Sequence, residues 1–504
     1  MFETIISNLF TIQTGIALLV GVVGGMAIGV LPGLNATMAV SLLLPVTFSM
    51  EPYAGFIMLM AIYTSAFYGG SISAILIRTP GTPSSAATAI DGYELTKQGR
   101  GLEAIGMATV GSMIGGTLSG VALLTISPLL AKVSLLFSAP EYFLIALFGL
   151  TVIGGLSGGS MIKGFLMGAF GLFLGTIGLD GITGQFRFTF GSDFLSSGIS
   201  LIPALIGMFS ISQVLVQAED YVRIISPQKI EDNTANLKGK FLPTFKELIH
   251  HTPNFIRSSI IGIFVGILPG AGGDIGAWLS YSEAKKASKN PELFGKGSIE
   301  AICASETGNN AVTGGSVIPL ITLGIPGSAV ASVLLGGFLV HGMVPGSQMF
   351  TKMATTTYTI ITGFIISNIL MGIVGILIAR HVIKVTKLPV SLLSPGIVVL
   401  SVVGSYAINS NMNDVYLMLA FGLIGYLMRK LDLPSAPAIL GLLLGPLAEN
   451  GFMNALVMAK GSPVSYYFSR PVSVIIMIFI AFTVAWPFIS DLLKKNKKKL
   501  DPAT

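Results

Sequence analysis

The sequence predicts an all-α polytopic membrane protein with about 10–14 membrane segments, built from two inverted-topology repeats that carry re-entrant hairpins or broken helices. Three observations predict this fold class. The mean hydropathy is +0.81 and only 10% of the residues are charged, against about a quarter in a soluble globular protein. Apolar runs of about 18 or more residues recur from end to end. Short motifs of the first half also recur in the second half.

The charge and cysteine content narrow the class of protein further. The net charge of +6 does not indicate nucleic-acid binding, because the Lys and Arg residues sit in short loops, where membrane topology places them. The single cysteine, Cys303, excludes an internal disulfide and a cysteine-rich metal site. The start, MFETIISNLF, has no basic region, so we expect no cleaved signal peptide.

Paired motifs indicate an internal duplication. They occur in the same order and at similar spacing in both halves, and the pair Asp91-Gly92 falls where His341-Gly342 falls, after one additional turn in the second half. The pairs are GVLPG (29–33) with GILPG (266–270), GGSIS (69–73) with GGSVI (314–318), and TPG (79–81) with IPG (325–327).

The duplication and the long polar stretch in the middle of the chain set the predicted domain boundaries. We assign 1–217 to an N-terminal repeat (core 13–101, scaffold helices 102–217), 218–257 to a cytoplasmic linker, 258–492 to a C-terminal repeat (core 258–350, scaffold helices 353–492) and 493–504 to a basic cytoplasmic tail.

The placement of positive charge predicts the orientation. The tail KKNKKK (494–499) is expected in the cytoplasm, and counting spans back from it places the equivalent loops 91–101 and 341–352 on opposite faces. The repeats are therefore predicted to be inverted, with the N-terminus periplasmic and the C-terminus cytoplasmic. The lysines that follow GILPGAGG stay cytoplasmic only if segment 258–281 turns back at Pro269-Gly270, which favours a re-entrant hairpin.

Gly- and Pro-rich stretches predict interruptions of the membrane helices. Pro removes a backbone donor and Gly permits positive φ. Such breaks survive in lipid only where they are buried or line a wet cavity, so we expect the breaks to form a shared central site rather than simple kinks. The predicted breaks are GVLPGLNAT (29–37), RTPGTPSS (78–85), GILPGAGGD (266–274), SETGNNAVTGGS (305–316) and LGIPGS (323–328).

The two kinds of helix end suit two kinds of ligand. A helix start presents N–H groups and suits a carboxylate, whereas a helix end presents carbonyls and suits Na⁺. The predicted substrate-binding residues are Asn35, Thr37, Arg78, Pro80, Gly81, Thr82, Ser84, Ser85, Asn309, Asn310, Gly327 and Ser328. The predicted ion-binding residues are Gly33, Gly270, Asp274, Glu306 and Thr313, with Na⁺ as a candidate at the LPG breaks.

Two of these assignments leave an alternative open. Arg78 could grip a carboxylate, or could instead be a snorkelling or topology residue. Asp91 could help to couple ions, but beside Gly92 a turn or cap role is favoured. No P-loop, Gly-x-Ser-x-Gly elbow or HExxH motif occurs, so we expect neither ATP hydrolysis nor any catalytic residue or cofactor.

The chain resembles the TctA family, the large membrane subunit of bacterial tripartite tricarboxylate transporters, over roughly residues 15–450. The resemblance rests on GVLPGLNATMAVSLLLPVTF, AFYGGSISAILIRTPGTPSSAATAIDGYELTKQGRG, GILPGAGGDIGAWLSY and SETGNNAVTGGSVIPLITLGIPGSAVASVLLGGFLVHGMVPG. It implies a TctB-like small membrane subunit and a TctC-like periplasmic substrate-binding protein as partners. It also implies import of citrate or other carboxylates across the bacterial inner membrane, driven by a Na⁺ or H⁺ gradient.

Two other functions stay open on the sequence alone. A passive anion channel has similar helices but does not accumulate its solute against a gradient. An intramembrane enzyme needs a base beside its nucleophile, and the four histidines (250, 251, 341 and 381) lie near predicted span ends, which counts against it. For a transporter, either an elevator-like movement or a rocking of the repeats would alternate access; the sequence does not choose between them, and we expect the elevator-like movement.

Overall fold

The structure is a computed structural model that describes residues 1–31, 33–156, 160–180, 183–223, 240–268, 272–385 and 394–500. The described residues are almost entirely helical, with one two-stranded antiparallel hairpin, β1 (Gly178–Leu179) and β2 (Phe186–Arg187). Six described helices are long and apolar enough to cross a membrane, and shorter apolar helices accompany them. The predicted all-α polytopic membrane fold is therefore confirmed.

The helices follow the chain in this order: α1 (Phe2–Leu9), α2 (Ile12–Val30), α3 (Ala36–Leu43), α4 (Pro52–Ile77), α5 (Ala86–Lys97), α6 (Gly101–Ser134), α7 (Ala139–Leu156), α8 (Met161–Gly175), α9 (Asp193–Ser196), α10 (Leu201–Ile206), α11 (Ser212–Arg223), α12 (Phe245–Ile267), α13 (Gly272–Ala287), α14 (Ile299–Leu323), α15 (Ala329–Val340), α16 (Ser347–Thr351), α17 (Ala354–Val385), α18 (Ser394–Asn409), α19 (Met412–Lys430), α20 (Ser435–Met458), α21 (Pro463–Phe468) and α22 (Pro471–Leu500). Short 3₁₀ turns cover Leu44–Ser49, Pro83–Ser85 and Pro291–Leu293, and a π-helical turn, Gly207–Ile211, joins α10 to α11.

The chain forms two compact units. Unit 1 is Met1–Ala131 with Ile202–Leu427, and unit 2 is Lys132–Leu201 with Met428–Thr504. Each unit takes segments from both halves of the chain, so the units do not coincide with the predicted repeats. The repeat boundaries and their inverted orientation stay predictions.

Unit 2 is a helical bundle in which α20 packs on α7 and α8, and α22 packs on α7. Two of its ion pairs join distant parts of the sequence. The fully buried Glu141 accepts hydrogen bonds from Arg470 (2.6 Å) and Ser473 (2.5 Å), and Arg187 pairs with Glu449. A buried carboxylate needs such partners because an unpaired charge in an apolar interior is costly.

Unit 1 holds the interrupted helices that the sequence predicts. α2 ends at Val30 and α3 begins at Ala36, while α12 ends at Ile267 and α13 begins at Gly272. α4 and α14 end at corresponding places, each on a left-handed residue: Arg78 (φ 55°) and Gly324 (φ 71°). The interruptions at 29–37, 78–85, 266–274 and 323–328 are therefore confirmed.

The predicted interruption at 305–316 is wrong, because α14 runs through it without a break. The stretch contains glycines but no proline, and glycine alone is tolerated inside a helix. Its glycines instead allow close packing: a Cβ at Gly314 would overlap Ser119, and one at Gly308 would overlap Ser280. The composition that suggests a loop is here a surface for close helix contact.

Glycines also seat each Pro-Gly corner against a long helix. A Cβ at Gly81 would overlap the carbonyl oxygen of Gly29, and one at Gly327 would lie 2.5 Å from the carbonyl oxygen of Gly266. These two pairs hold matching positions in the duplicated motifs. Both contacts require the absence of a side chain, so the corners are fixed by packing.

Asp91 fastens α5 to the loop that leads into α14. Its carboxylate is buried and accepts hydrogen bonds from the amides of Gly295, Gly297 and Ser298, at 2.7 to 3.0 Å, and from the hydroxyl of Tyr281 at 2.8 Å. Asp91 lies inside α5, so it is neither the turn nor the cap residue that the sequence favours; its partners come from a distant part of the chain. Four donors from α13 and the loop therefore depend on one carboxylate.

Two glycines of α2 offer a matched test of the close packing. Gly29→Ala places a methyl group on the carbonyl oxygen of Ala66, whereas Gly24→Ala meets nothing within 4 Å. Overpacking costs about 1–3 kcal/mol, while Ala in a helix is about 1 kcal/mol more favourable than Gly. We expect Gly29→Ala to lower the thermal unfolding temperature in detergent and Gly24→Ala to leave it unchanged or higher. Equal unfolding temperatures for the two variants would contradict the packing described.

Removing the Asp91 carboxylate tests its structural role. Asp91→Ala leaves three amides and a tyrosine hydroxyl without their acceptor, and the amide of Ser298 among them is buried; we expect this to lower the free energy of unfolding by about 2–5 kcal/mol. Glu94→Ala is the control, because Glu94 makes only a partly exposed pair with Lys97 and such pairs contribute little. Thermal unfolding of both variants checks this, and an unfolding temperature of Asp91→Ala equal to that of Glu94→Ala would count against the role.

Candidate anion-binding site

Four helix starts of unit 1 converge on one cavity of about 170 Å³. One buried water needs about 15 Å³ of such space, so the cavity accommodates roughly ten waters or a solute with a similar number of non-hydrogen atoms. Its lining comes from the starts of α3, α5, α13 and α15, with one aromatic side chain from α4. The lining residues are Asn35, Ala36, Thr37, Phe67, Thr82, Pro83, Ser84, Gly272, Gly273, Asp274, Ser328, Ala329 and Val330.

The starts of α3 and α15 are built alike. Asn35 is the N-cap of α3, and its side-chain oxygen accepts from the amide of Met38 at 2.8 Å. Ser328 is the N-cap of α15 and accepts from the amide of Ala331 at 3.2 Å. In each helix the two residues after the cap line the cavity. The amides at these positions have no acceptor within the helix, so they are suited to an anion.

The turn before α5 adds hydroxyl groups to the cavity wall. The hydroxyl of Thr82 lies 2.9 Å from that of Ser84 and 3.1 Å from that of Ser85. Pro83 fixes the first position of the turn, where its missing amide costs nothing. Thr82 and Ser84 thus present polar oxygen atoms that can donate to a bound carboxylate.

The start of α13 brings both close backbone and an acid. A Cβ at Gly273 would overlap Phe67 and would lie 3.1 Å from the side-chain oxygen of Asn309, so only glycine allows the backbone to approach here. Asp274 lines the cavity and is exposed. The cavity therefore has hydrogen-bond donors that can bind an anion and one carboxylate, that of Asp274, that can bind a cation.

Six of the twelve predicted substrate-binding residues line the cavity or hydrogen-bond to a residue that lines it. Asn35, Thr37, Thr82, Ser84 and Ser328 line it, and Ser85 bonds to Thr82. Of the predicted ion-binding residues, Asp274 lines it. Asn309 lies behind Gly273, fully buried, and both polar atoms of its amide lack a hydrogen-bond partner among the described residues.

Other predicted residues lie away from the cavity lining. Arg78 is exposed at the end of α4, with its guanidinium 5.8 Å from the ring of Tyr93. Pro80 is partly exposed, and Gly81 and Gly327 pack at the Pro-Gly corners. None of these four lines the cavity, and for Arg78 the placement favours the snorkelling alternative.

Two predicted residues of α14 make hydrogen bonds within the helix layer. The amide nitrogen of Asn310 donates to the hydroxyl of Thr64 at 3.2 Å, and the hydroxyl of Thr313 donates to the carbonyl of Asn310 at 2.6 Å. Both residues are fully buried. The Asn310 contact joins α14 to α4, the Thr313 contact lies within α14, and neither residue lines the cavity.

The LPG breaks are only partly described. The exposed carbonyl of Gly33 (φ 84°) accepts from the side chain of Gln217 at 3.2 Å, so it already has a donor. Pro32 and Gly270 lie outside the described residues. The prediction of Na⁺ at these breaks therefore stays a prediction.

Glu306 is buried beneath the cavity and is surrounded by hydroxyl groups. One carboxylate oxygen accepts from Ser71 at 2.6 Å and from Thr88 at 2.5 Å, and the other accepts from Ser112 at 3.0 Å. The three hydroxyls come from α4, α5 and α6. The acid is fully buried and makes no ion pair among the described residues.

Several lining residues are absent from the sequence prediction. Ala36, Ala329 and Val330 follow predicted caps directly, so their amides could have been inferred from helix-start geometry. Gly272 and Gly273 belong to the motif GAGGD, whose glycines signal a close backbone approach. Phe67 carries no sequence signal, because an aromatic residue in a membrane helix most often packs in the core.

Comparison with known proteins identifies the family. The sequence matches the model of the tripartite tricarboxylate transporter TctA family over residues 16–440. An Agrobacterium vitis relative, the uncharacterized 52.8 kDa protein in the TAR-I ttuC' 3'region, is 37% identical over 479 residues, covering 95% of this chain and 94% of that protein. The uncharacterized protein in the TAR-II ttuC' 3'region of the same organism is 36% identical over 200 residues, covering 40% of this chain and 83% of that protein. No solved structure matches.

The match agrees with the fold and with the resemblance in the sequence motifs. It spans both sets of interrupted helices and every residue that lines the cavity. It also points to a multi-pass membrane transporter rather than to an enzyme. The chain belongs to the tripartite tricarboxylate transporter TctA family.

Proposed function

We propose that this chain is the ion-gradient-driven permease subunit of a tripartite transporter that imports tricarboxylates or related organic carboxylates across the bacterial inner membrane. A TctC-like periplasmic protein delivers the substrate, and a TctB-like small membrane subunit completes the complex. Access alternates by an elevator-like movement, with the N-terminus periplasmic and the C-terminus cytoplasmic. The family membership supports the class of transporter, and the cavity supports the class of substrate.

The convergence of four helix starts on one cavity is the observation that carries this proposal. The starts of α3 and α15 present amides that have no acceptor within their helices, and each of the four starts is the positive end of a helix dipole. Substrates with several carboxylates match this arrangement, since separate helix starts can each receive one carboxylate. The size of the cavity suits a small organic acid.

Asp274 gives the same cavity a group for a cation. A carboxylate that faces a bound anion repels it unless a cation lies between them. We therefore include Asp274 in the proposed site as the residue that holds a cation, Na⁺ or H⁺, close to the substrate. This arrangement would make binding of the anion and binding of the cation mutually favourable.

The first test compares two predicted residues that the structure places differently. Ser84→Ala removes a hydroxyl from the cavity wall, and we expect the KM for citrate uptake to rise on the order of tenfold, as for one lost hydrogen bond to a charged ligand. Arg78→Ala alters an exposed side chain outside the cavity, and we expect little change. Uptake of radiolabelled citrate by cells with equal amounts of each variant in the membrane measures both. A wild-type KM for Ser84→Ala would remove this hydroxyl from the site.

The second test probes the cavity directly with a cysteine. The native thiol, Cys303, is fully buried, so a cysteine introduced by Thr37→Cys should dominate labelling by an anionic methanethiosulfonate. We expect citrate to slow this labelling at least several-fold, because substrate fills the space around Thr37. Arg78→Cys should label without protection. Equal effects of citrate on the two cysteines would contradict binding in this cavity.

A passive anion channel is the alternative, because helix starts also line anion pathways. Vesicles that contain the reconstituted complex distinguish the two functions. A coupled transporter accumulates citrate above the external concentration when an ion gradient is imposed, whereas a channel only equilibrates it.

A further inference from the structure

We propose that Glu306 is the site at which the driving proton is bound and released, and that the buried amide of Asn309 links it to the cavity. This inference deepens the proposed function, on which it rests, by naming the coupling ion and the residue that carries it. The carboxyl group has no cationic partner among the described residues. A buried charge without a partner is strongly disfavoured, so this acid is suited to change its protonation state.

The hydroxyl groups around Glu306 can satisfy both protonation states. In the ionised state, Ser71, Thr88 and Ser112 donate to the two carboxylate oxygens. After a proton binds, the carboxyl group can donate to the hydroxyl oxygen of Thr88. The hydroxyl of Thr88 can then donate to Ser305, 2.8 Å away, and Ser305 to the carbonyl of Ile302. Only hydroxyl hydrogens rotate, and no buried donor loses its partner.

Hydroxyl groups surround the carboxylate of Glu306. The oxygens of Ser71 and Thr88 lie at hydrogen-bond distance from it, so the acid is held by groups that can either donate or accept a hydrogen bond, as a site that gains and loses a proton requires.

Three segments of the chain connect Glu306 to the cavity. In each of them, a residue at the cavity or its lining lies about one helical turn from Glu306 or from a residue that bonds to it. Phe67 and Ser84 line the cavity, and Ser71 and Thr88 stand four residues after them on α4 and α5. On α14, Asn309 contacts the cavity lining at Gly273 and lies three residues after Glu306. Asn309 is fully buried with both polar atoms of its amide unpartnered among the described residues, so it places a polar group that still needs a hydrogen-bond partner between the acid and the cavity.

Asp274 of α13 lines the cavity and is exposed, so a cation there is bound beside the substrate and is distinct from a proton on the buried Glu306. The other titratable groups on the helices around Glu306 do not compete for its role. Tyr68 on α4 pairs with Thr109 of α6 at 2.7 Å, and Cys303 lies one turn earlier on α14. On α5, Asp91 is held by Tyr281 of α13 and by loop amides. No basic side chain among the described residues pairs with Glu306 from any of these helices.

The test uses the complex with its partner subunits in proteoliposomes and radiolabelled citrate as the probe. With Na⁺ absent and the outside acidic, we expect wild type to accumulate citrate. Glu306→Gln resembles the protonated acid, so we expect it to retain exchange of internal for external citrate and to accumulate at least tenfold less citrate than wild type. Accumulation by Glu306→Gln equal to that of wild type would overturn the inference. The inference would also fail if the wild-type protein accumulated citrate in response to a Na⁺ gradient and not in response to a pH gradient.

Two further measurements separate this inference from the proposed function. Infrared difference spectra between acid and alkaline pH should contain a protonated-carboxyl band that Glu306→Gln lacks, whatever the transported solute, and the same band in both proteins would overturn the assignment. If wild type neither exchanges nor accumulates citrate but shows a band that Glu306→Gln lacks, the substrate assignment fails and the proton site stands. If wild type transports citrate and both proteins show the same band, the proton site fails and the substrate assignment stands.

A matched serine pair keeps the test open if Glu306→Gln does not fold. Ser71→Ala removes a hydroxyl that donates to Glu306, whereas Ser73→Ala, on the same helix, removes one that bonds to the carbonyl of Gly70. Both serines are fully buried. We expect Ser71→Ala alone to move the pH of half-maximal citrate uptake, by about half a unit or more. Identical pH profiles for the two variants would count against Glu306.

Discussion

A helix that stops inside a membrane leaves backbone groups without partners, and lipid offers them none. Unit 1 meets this constraint by directing four interrupted helices to one place. The caps Asn35 and Ser328 each satisfy one amide of the helix they begin. The residues that carry the next amides of α3 and α15 line a cavity. The same helix starts that need polar partners therefore supply the donors of the proposed site, so fold and binding chemistry have one physical cause.

Close packing of glycines makes this arrangement rigid enough to be selective. Gly81 and Gly327 lie against the backbone of Gly29 and Gly266, so each Pro-Gly corner is seated by main-chain contact. Gly273 lies against Phe67 and near Asn309, where no side chain fits. Positions fixed by backbone contact vary less than positions fixed by flexible side chains. A carboxylate bound as proposed would meet amides that are already oriented, which would lower the entropic cost of binding.

The sequence predicts the helical fold and four of the interruptions because proline acts locally: it removes a donor and restricts φ wherever it stands. It fails at 305–316, where glycines without proline serve close packing, and glycine has both uses. Local composition also identifies the caps Asn35 and Ser328. It does not reveal that Phe67 lines the cavity or that Arg78 points away from it, because these facts depend on which helices pack together. The grouping of the chain into two discontinuous units has no local signal at all.

The short helix α5 joins the parts of unit 1 that transport would have to coordinate. The turn that begins it brings Thr82 and Ser84 to the cavity, Thr88 one turn later donates to Glu306, and Asp91 holds the loop before α14. These contacts lie within ten residues of one rigid element. A ligand that shifts the start of α5 therefore changes two sets of contacts together: the hydrogen bond from Thr88 to Glu306, and the hydrogen bonds between Asp91 and the loop before α14. Coupling between an anion in the cavity and the state of Glu306 then needs no long pathway, since both act on the position of the same helix.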